Sequence, residues 1–463
     1  MRITTAKFDP AANDTAAAPP HLSERIALRP LTSLRCDPGN ARTHSTKQLR
    51  LIAGSIEQFG FINPVVIDAD GLILAGHGRY AAARQLGLPA VPTIQVDHLS
   101  PAQRRAYALA DNKLSELSGW DRDLLRIQIE ELDGLDFDLG LTGFSVPEIE
   151  AILDPGQPLD SEDTAVAPAP GPAVSRPGDL WLLGPHRLLC GSALEAAAYA
   201  DLMDGERAEA VFTDPPFNVP IHGHVSGGGK VRHREFAMAA GEMTAEAFTT
   251  FLRTAFTHLV AHSADGSIHF VCMDWRHMRE LLAASEGIYA LKNLCIWNKD
   301  NGGMGSLYRS KHELVFVLKA GTAPHTNNVE LGRHGRNRTN VWDYSGQNTF
   351  HRDRAADLAA HPTVKPVALV ADALRDVSVR GDVVLDPFCG SGTTILAAER
   401  TRRQARGIEY DPAYVDVALR RYADATGGVA RLASTGQTFA EVAAARAAEA
   451  SADDASGEVG HAA

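Results

Sequence analysis

Apolar residues recur along this chain with two different periods, and the switches between them divide it into modules. Lys47 to Phe59 spaces its apolar positions as an amphipathic helix does. Pro64-Val65-Val66-Ile67 and Leu72-Ile73-Leu74 are short apolar runs that read as strands, joined at Asp70-Gly71 in a hairpin. A helix is expected from about Arg79 to Leu86, and helical structure from Ser100 to Leu153. From Asp154 to Asp179 the periodicity gives way to Pro, Ala, Gly and Ser, the composition of an extended linker. Beyond it, Val211-Phe212-Thr213 reads as a buried strand, Val367 to Val377 is apolar-periodic, and Gly381-Asp382-Val383-Val384-Leu385-Asp386 reads as a turn and a buried strand. Thr394 to Glu399 has helix-forming composition, and Ala405 to Ile408 reads as a second strand ending in Glu409. The expected organisation is a disordered tail over 1–22, an α/β domain over 23–153, a linker over 154–178, a larger α/β domain over 179–435, and an Ala-rich helix (Thr438 to Glu449) with a frayed end over 436–463.

Composition narrows the setting. A chain of 463 residues exceeds a usual single domain. Its five cysteines form no close pairs, which excludes a disulfide scaffold and a thiolate zinc site and points to a reducing cytoplasm. No apolar run approaches membrane-spanning length, and no signal-peptide pattern opens the chain. The 18 histidines include a group at His222, His224 and His233, but no helical His-Glu-x-x-His spacing accompanies it, so no metal is expected. A formal charge of −12 is unusual for a nucleic-acid binder, yet phosphate contact depends on where charge lies. Two basic stretches exist: Lys230, Arg232 and Arg234 after a run of glycines, and Arg333, Arg336 and Arg338 among Asn337, Asn340, Gln347 and Asn348. Arg suits guanine edges and Asn or Gln adenine edges, so the second stretch, within about 320–358, is the expected recognition segment.

The chemistry concentrates at two places. Asp214-Pro215-Pro216-Phe217 follows the strand ending at Thr213, where open α/β sheets place their ligands. An exocyclic amino group on a nucleobase is a poor nucleophile because its lone pair is delocalised into the ring. If the Asp214 carboxylate and the Pro215 carbonyl each hold one N–H, the nitrogen moves toward tetrahedral geometry and its lone pair can attack in line. The rigid Pro215-Pro216 pair shapes the turn, and Phe217 offers a face for stacking. Asp386-Pro387-Phe388-Cys389-Gly390-Ser391-Gly392-Thr393-Thr394 is a strand, glycine loop and helix start, a cradle in which backbone can approach a ligand closely. No Lys precedes Thr393, so a triphosphate-binding loop is disfavoured and a nucleoside without phosphates fits better. Glu409 lies roughly 20 residues further on, the offset at which a carboxylate meets ribose hydroxyls.

The order DPPF, then Trp297-Asn298-Lys299, then His361-Pro362-Thr363-Val364-Lys365-Pro366, then DPFCGSGTT resembles the beta-type permuted DNA amino-methyltransferases, which include restriction-associated and orphan adenine methylases. The resemblance spans roughly 176–431. It implies a Rossmann-like fold, S-adenosyl-L-methionine as cofactor and double-stranded DNA as partner. It assigns cofactor contacts to Asp386, Phe388, Gly390, Gly392, Thr393 and Glu409, with Thr363 and Lys365 beside the cofactor. Family members often read Gly-Asp before the catalytic strand; here the segment is Cys190-Gly191-Ser192-Ala193, so Ser192 stands where an acidic contact to the adenine is usual. An Asp-first tetrapeptide is the family's usual adenine-N6 form, with cytosine N4 as the alternative target.

Asn40-Ala41-Arg42 through Gly76-His77-Gly78-Arg79 to the segment Val91 to Ser100 resembles the N-terminal domain of ParB-type partition proteins, related to the sulfiredoxin fold, over about Ile26 to Asn112. That implies a nucleotide site involving Arg42, Gly76, His77 and Arg79, although His77 and Gly78 replace residues of the usual arginine-rich box. An acidic run from Glu116 to Asp138 argues against a DNA-contacting helical pair there. The expected protein is an α/β enzyme with two modules, a ParB/sulfiredoxin-like domain tethered to a Rossmann-like DNA methyltransferase that can pair as a homodimer. The rival from another class is a nucleotide-switched, ParB-like DNA-binding protein.

Overall fold

The computed structural model describes residues 26–135, 137–153, 168, 171–219, 241–300, 302, 307–331, 338–345 and 365–457. The expected N-terminal tail, most of the linker and much of the recognition segment lie outside these residues. The chain divides into two compact units, residues 1–155 and 156–463.

The first unit builds a four-stranded sheet from β1 (Ile26–Pro30), β2 (Val65–Ile67), β3 (Ile73–Ala75) and β4 (Ala90–Gln95), in the order β1-β4-β2-β3. Helices α1 (Thr46–Phe59) and α2 (His77–Gln85) fall between its strands in the chain. Val65, Ile67, Ile73 and Val91 are buried with Tyr80 and Ala83 of α2. The Asp68 carboxylate accepts from the amides of Asp70 and Leu72 and from Arg104, tying the hairpin to α3 (Pro101–Ser115). Ser100 caps α3 in a reciprocal box with Gln103. α4 (Arg122–Gly134) and α5 (Val146–Leu153) bury Leu125, Ile129 and Ile149 against Leu139. Acidic residues of this stretch serve as helix caps, Asp121 at α4 and Asp138 at the following turn.

The second unit runs β5 (Leu180–Leu183), β6 (His186–Cys190), α6 (Ala196–Met203), β7 (Ala208–Thr213), α7 (Ala245–Ala261), β8 (Ser263–Met273), α8 (Met278–Ser285), β9 (Tyr289–Asn298), β10 (His312–Ala320), β11 (Val341–Asp343), α9 (Val367–Val377), β12 (Val383–Asp386), α10 (Thr393–Arg400), β13 (Gln404–Glu409), α11 (Pro412–Thr426), β14 (Arg431–Leu432) and α12 (Phe439–Gly457). Its described strands form one sheet in the order β11-β9-β10-β8-β7-β12-β13-β6-β5-β14. The centre, β8-β7-β12-β13-β6, is parallel, the strands on either side of it turn antiparallel, and at one edge β11 pairs in parallel with β9. Along β7, Val211 packs with α7 on one face while Ala210 and Phe212 pack with α9 on the other, so the strand reads as an unbroken apolar run. From the β7–β12 pair the chain proceeds outward in opposite directions, to β8 on one side and β13 on the other, which makes the crevice at their carboxyl ends a topological switch point. α12 continues past the expected Glu449 to Gly457, and Arg446 anchors it by binding both oxygens of Asp179.

Candidate active site

At the carboxyl end of β7, the Asp214 carboxylate is divided between two roles. Its Oδ2 receives the Lys365 ammonium at 2.5 Å, while its buried Oδ1 has no hydrogen-bond partner among the described residues. Burial raises the Asp214 carboxyl above its ordinary value and Glu313 adds to this, with Lys365 pulling the other way. Phe217 is half-buried against both faces of the core, its ring 5.5 Å from the Lys365 nitrogen. Lys365 also lies 2.9 Å from Glu313 Oε2, and Lys299 binds Glu313 Oε1. Burial works to raise the Glu313 carboxyl, but Lys365 and Lys299 outweigh it and hold it at about 2. Trp297, the first residue of the Trp-Asn-Lys motif, is buried with Lys299 4.4 Å from its ring and its indole N–H donated to the Tyr344 carbonyl. Asn218 at φ +52° closes the turn: its Oδ1 accepts from the Gly241 and Met243 amides and its Nδ2 donates to the Met243 carbonyl.

One strand away, the glycine loop is braced from below. Asp386, at the end of β12, accepts from the hydroxyls of Thr213 and Thr394 and from the Phe388 amide. Its burial pushes the carboxyl up to about 6. Ser391 and Thr393 receive hydrogen bonds from the buried Arg421 of α11, so their hydroxyls lock the loop to that helix. Gly392, at φ +84°, permits this approach: a Cβ there would stand 2.9 Å from that of Ala418. Cys389 is buried in the core below, its thiol pushed well up by burial, and its amide donates to the Ile408 carbonyl. Gly390, at φ +53°, has no atom within 4 Å of the position its Cβ would take. The Gly390 amide donates to Glu409 Oε2 and the Asp411 amide to Oε1. Burial raises the Glu409 carboxyl to about 7 against these two hydrogen bonds. The Gly191 amide donates to the Glu409 carbonyl, which brings Ser192 alongside, its hydroxyl accepting from Leu194. Phe388, following Pro387, is partly buried with its ring 5.8 Å from that of Phe251.

The crevice therefore gathers Asp214, Phe217, Phe388, Gly390, Glu409 and Ser192. Asp386, Thr394, Ser391, Thr393 and Cys389 support it from beneath. Lys365, expected beside the cofactor, pairs with Asp214 and Glu313. One expectation is corrected. Arg338, expected at the DNA, binds Asp376 and Tyr344 and lies 5.1 Å from the Trp342 ring, because two carboxylates of α9, at Asp372 and Asp376, hold its half-buried guanidinium. Thr363, Lys230, Arg232, Arg234, Arg333 and Arg336 lie outside the described residues, as do His222, His224 and His233. Among the described residues no group of His, Cys, Asp and Glu is arranged to hold a metal ion, and no helix is long and apolar enough to cross a membrane.

In the first unit, Gly76 at φ +98° begins α2, and the Arg79 side chain folds back over it. The Arg79 Nε is buried with no hydrogen-bond partner among the described residues. His77 accepts from the Asp37 amide, and burial lowers its pKa. Arg42 pairs with Glu116.

Comparison with known proteins finds three family matches along the chain. The DNA methylase family of N6/N4 type matches residues 208–420, the ParB N-terminal domain matches 19–113, and the ParB-methyltransferase HTH domain matches 123–177, the stretch containing α4 and α5. The ParB-like nuclease domain-containing protein YnaK of Escherichia coli (strain K12) is 47% identical over 81 residues, 18% of this chain and 93% of that protein. The type II methyltransferase M.HpaI of Haemophilus parainfluenzae is 25% identical over 255 residues, 51% of this chain and 74% of its own. The DNA modification methylase TTHA0409 of Thermus thermophilus, solved with S-adenosyl-L-methionine, superposes with a TM-score of 0.36 at 21% identity, covering 52% of this chain and 93% of that one. The chain thus carries a DNA methylase domain of N6/N4 type behind a ParB-type N-terminal domain.

Proposed function

We propose that this enzyme transfers a methyl group from S-adenosyl-L-methionine to the N6 amino group of adenine in double-stranded DNA. The observation that carries the reading is the unpartnered Asp214 Oδ1, a buried acceptor beside an aromatic ring and one strand from a glycine cradle. An acceptor left unsatisfied inside a protein is costly unless a ligand completes it. The target base sits inside a duplex stack, so it must be flipped out to reach this crevice. Phe217 then stacks on the base, Asp214 Oδ1 takes one N–H of the amino group, and the Pro215 carbonyl takes the other. Lys365, by occupying Oδ2, leaves Oδ1 as the oxygen that meets the base.

The open space beside Gly390 and the Glu409 carboxylate at the end of β13 fit a nucleoside-bearing donor. The bound donor supplies an electrophilic sulfonium methyl group. Gly390 gives it room, Glu409 receives its ribose hydroxyls, Phe388 and Ser192 flank it, and Thr363 is assigned to the same neighbourhood. The basic residues Lys230, Arg232, Arg234, Arg333 and Arg336 are the proposed phosphate and base contacts. In the first unit, the Gly76 to Arg79 turn with its uncompleted Arg79 Nε is the proposed nucleotide site, and the chain is proposed to pair as a homodimer.

Incubation of the purified chain with DNA and isotopically labelled donor, followed by nucleoside mass spectrometry, tests the proposal. N6-methyladenine is the expected product. N4-methylcytosine would replace the target assignment, and no methylated base would remove the reading altogether.

A further inference from the structure

Four charges of alternating sign, drawn from four separate elements, meet behind the Asp214 carboxylate. Lys299 follows β9, Glu313 lies on β10 opposite Trp297, Lys365 precedes α9, and Asp214 follows β7. The contacts run Lys299 to Glu313, Glu313 to Lys365 at 2.9 Å, and Lys365 to Asp214 at 2.5 Å. Glu313 and Lys365 are 8% and 4% exposed, so neither can turn to water for a substitute partner. A buried ammonium has three donors to satisfy. Glu313 Oε2 holds the ammonium in an ion pair, and Asp214 Oδ2 accepts a hydrogen bond from it. Without Glu313 the ammonium is left to Asp214, whose buried Oδ1, the oxygen assigned to the substrate, is an open acceptor among the described residues.

We propose that Glu313 is a positioning residue for methyl transfer: by engaging Lys365 from behind, it keeps Oδ1 of Asp214 free for the amino group of the base. The inference rests on the reading that Asp214 meets the base. It also follows from charge. The two lysines and two carboxylates sum to zero, and loss of Glu313 would leave a net positive charge facing both a sulfonium donor and an amine that becomes cationic as it attacks. The groups facing Asp214 are Lys365 ahead of α9, Glu313 on β10, Lys299 after β9, Cys272 on β8 and Asp386 on β12. Glu313 raises the Asp214 carboxyl, whereas Lys299 lowers it.

The full chain, labelled with carboxyl-¹³C aspartate, allows Asp214 to be titrated directly, its signal assigned by its loss in Asp214→Asn. Glu313→Gln should move the midpoint down in pH and Lys299→Gln should move it up. In methyl-transfer assays Glu313→Gln should lower kcat by about 10–100-fold, the range seen when a group orienting a reactive ligand is removed, with KM for DNA little changed. The acid limb of its rate profile should shift downward together with the carboxyl signal. Lys299→Gln reads the same coupling if Glu313→Gln does not fold. Midpoints that stay in place in the folded variants overturn the proposal, even where rate or stability falls, because Glu313 would then be merely structural. Midpoints that move in a protein transferring no methyl group would uphold the coupling and reject the proposed function.

Discussion

The Thr213 hydroxyl donates a 2.8 Å hydrogen bond to Asp386 Oδ1, joining the last residue of β7 to the last residue of β12. One bond thus couples the strand that presents Asp214 to the strand that presents the glycine loop. Asp386 also holds Thr394 at the start of α10, so the proposed base pocket and donor cradle share a single buried carboxylate.

Asp214→Ala should abolish transfer while leaving donor affinity nearly unchanged, since Glu409 and Gly390 lie on the neighbouring strands. A loss on the order of 10²–10³-fold or more is expected from removing one preorganised hydrogen-bonding group. Methyl incorporation and donor calorimetry on the same preparation check it.

Phe217→Ala should weaken capture of the extruded base by about 1–3 kcal/mol, the stacking contribution of one aromatic ring. A mismatched substrate, whose target base is easier to extrude, should partly restore the rate.

The two glycines of the cradle should fail differently. Gly390→Val places a side chain in open space where the donor is assigned, so donor binding should vanish at a modest stability cost of about 1–2 kcal/mol for the left-handed backbone. Gly392→Ala meets Ala418 at 2.9 Å and should first cost roughly 1–3 kcal/mol of stability by overpacking, read as a lower melting temperature. Thermal melts and donor titrations separate the two.

Glu409 makes donor binding pH-dependent. Its carboxyl is raised from 4.5 to about 7 by burial, and donor hydroxyls prefer the ionised form. Affinity should therefore rise as pH climbs toward and through 7, and fall below it by up to about tenfold per unit. Glu409→Gln should bind more weakly and flatten the dependence, as measured by calorimetry from pH 5.5 to about 8.5.

A fragment carrying the second unit should methylate DNA alone if it begins at Gly171. Beginning after Ser175 should cost stability, because the Val174 and Ser175 amides bind Asp416 and the Val174 carbonyl binds Arg446. Melting temperatures of the two fragments, with activity of the longer one against the full chain, decide it.

Much of this arrangement was legible in the residues. β7 and β12 announce themselves because both faces of each strand are buried, and the span expected for α9 is the span it occupies. Glu313, Arg421 and Asn218 were not legible. A charged or polar residue on a strand or helix reads as solvent-facing, and only the fold reveals that Glu313 sits between two lysines or that Arg421 reaches three oxygens of the glycine loop. Arg338 erred in the opposite sense. Its polar neighbours suggested base reading, whereas Asp372 and Asp376, more than thirty residues downstream, bind it to α9.

The bond between Thr213 and Asp386 spans 173 residues of chain. A ribosome making this protein releases β7 long before β12, the strand that pairs beside it, and the carboxylate uniting them arrives only with the second of the two. Contacts of such long range form late and slowly. The growing polypeptide consequently carries the Asp214 turn without its glycine loop until β12 has emerged, and the two sides of the crevice can be joined only then.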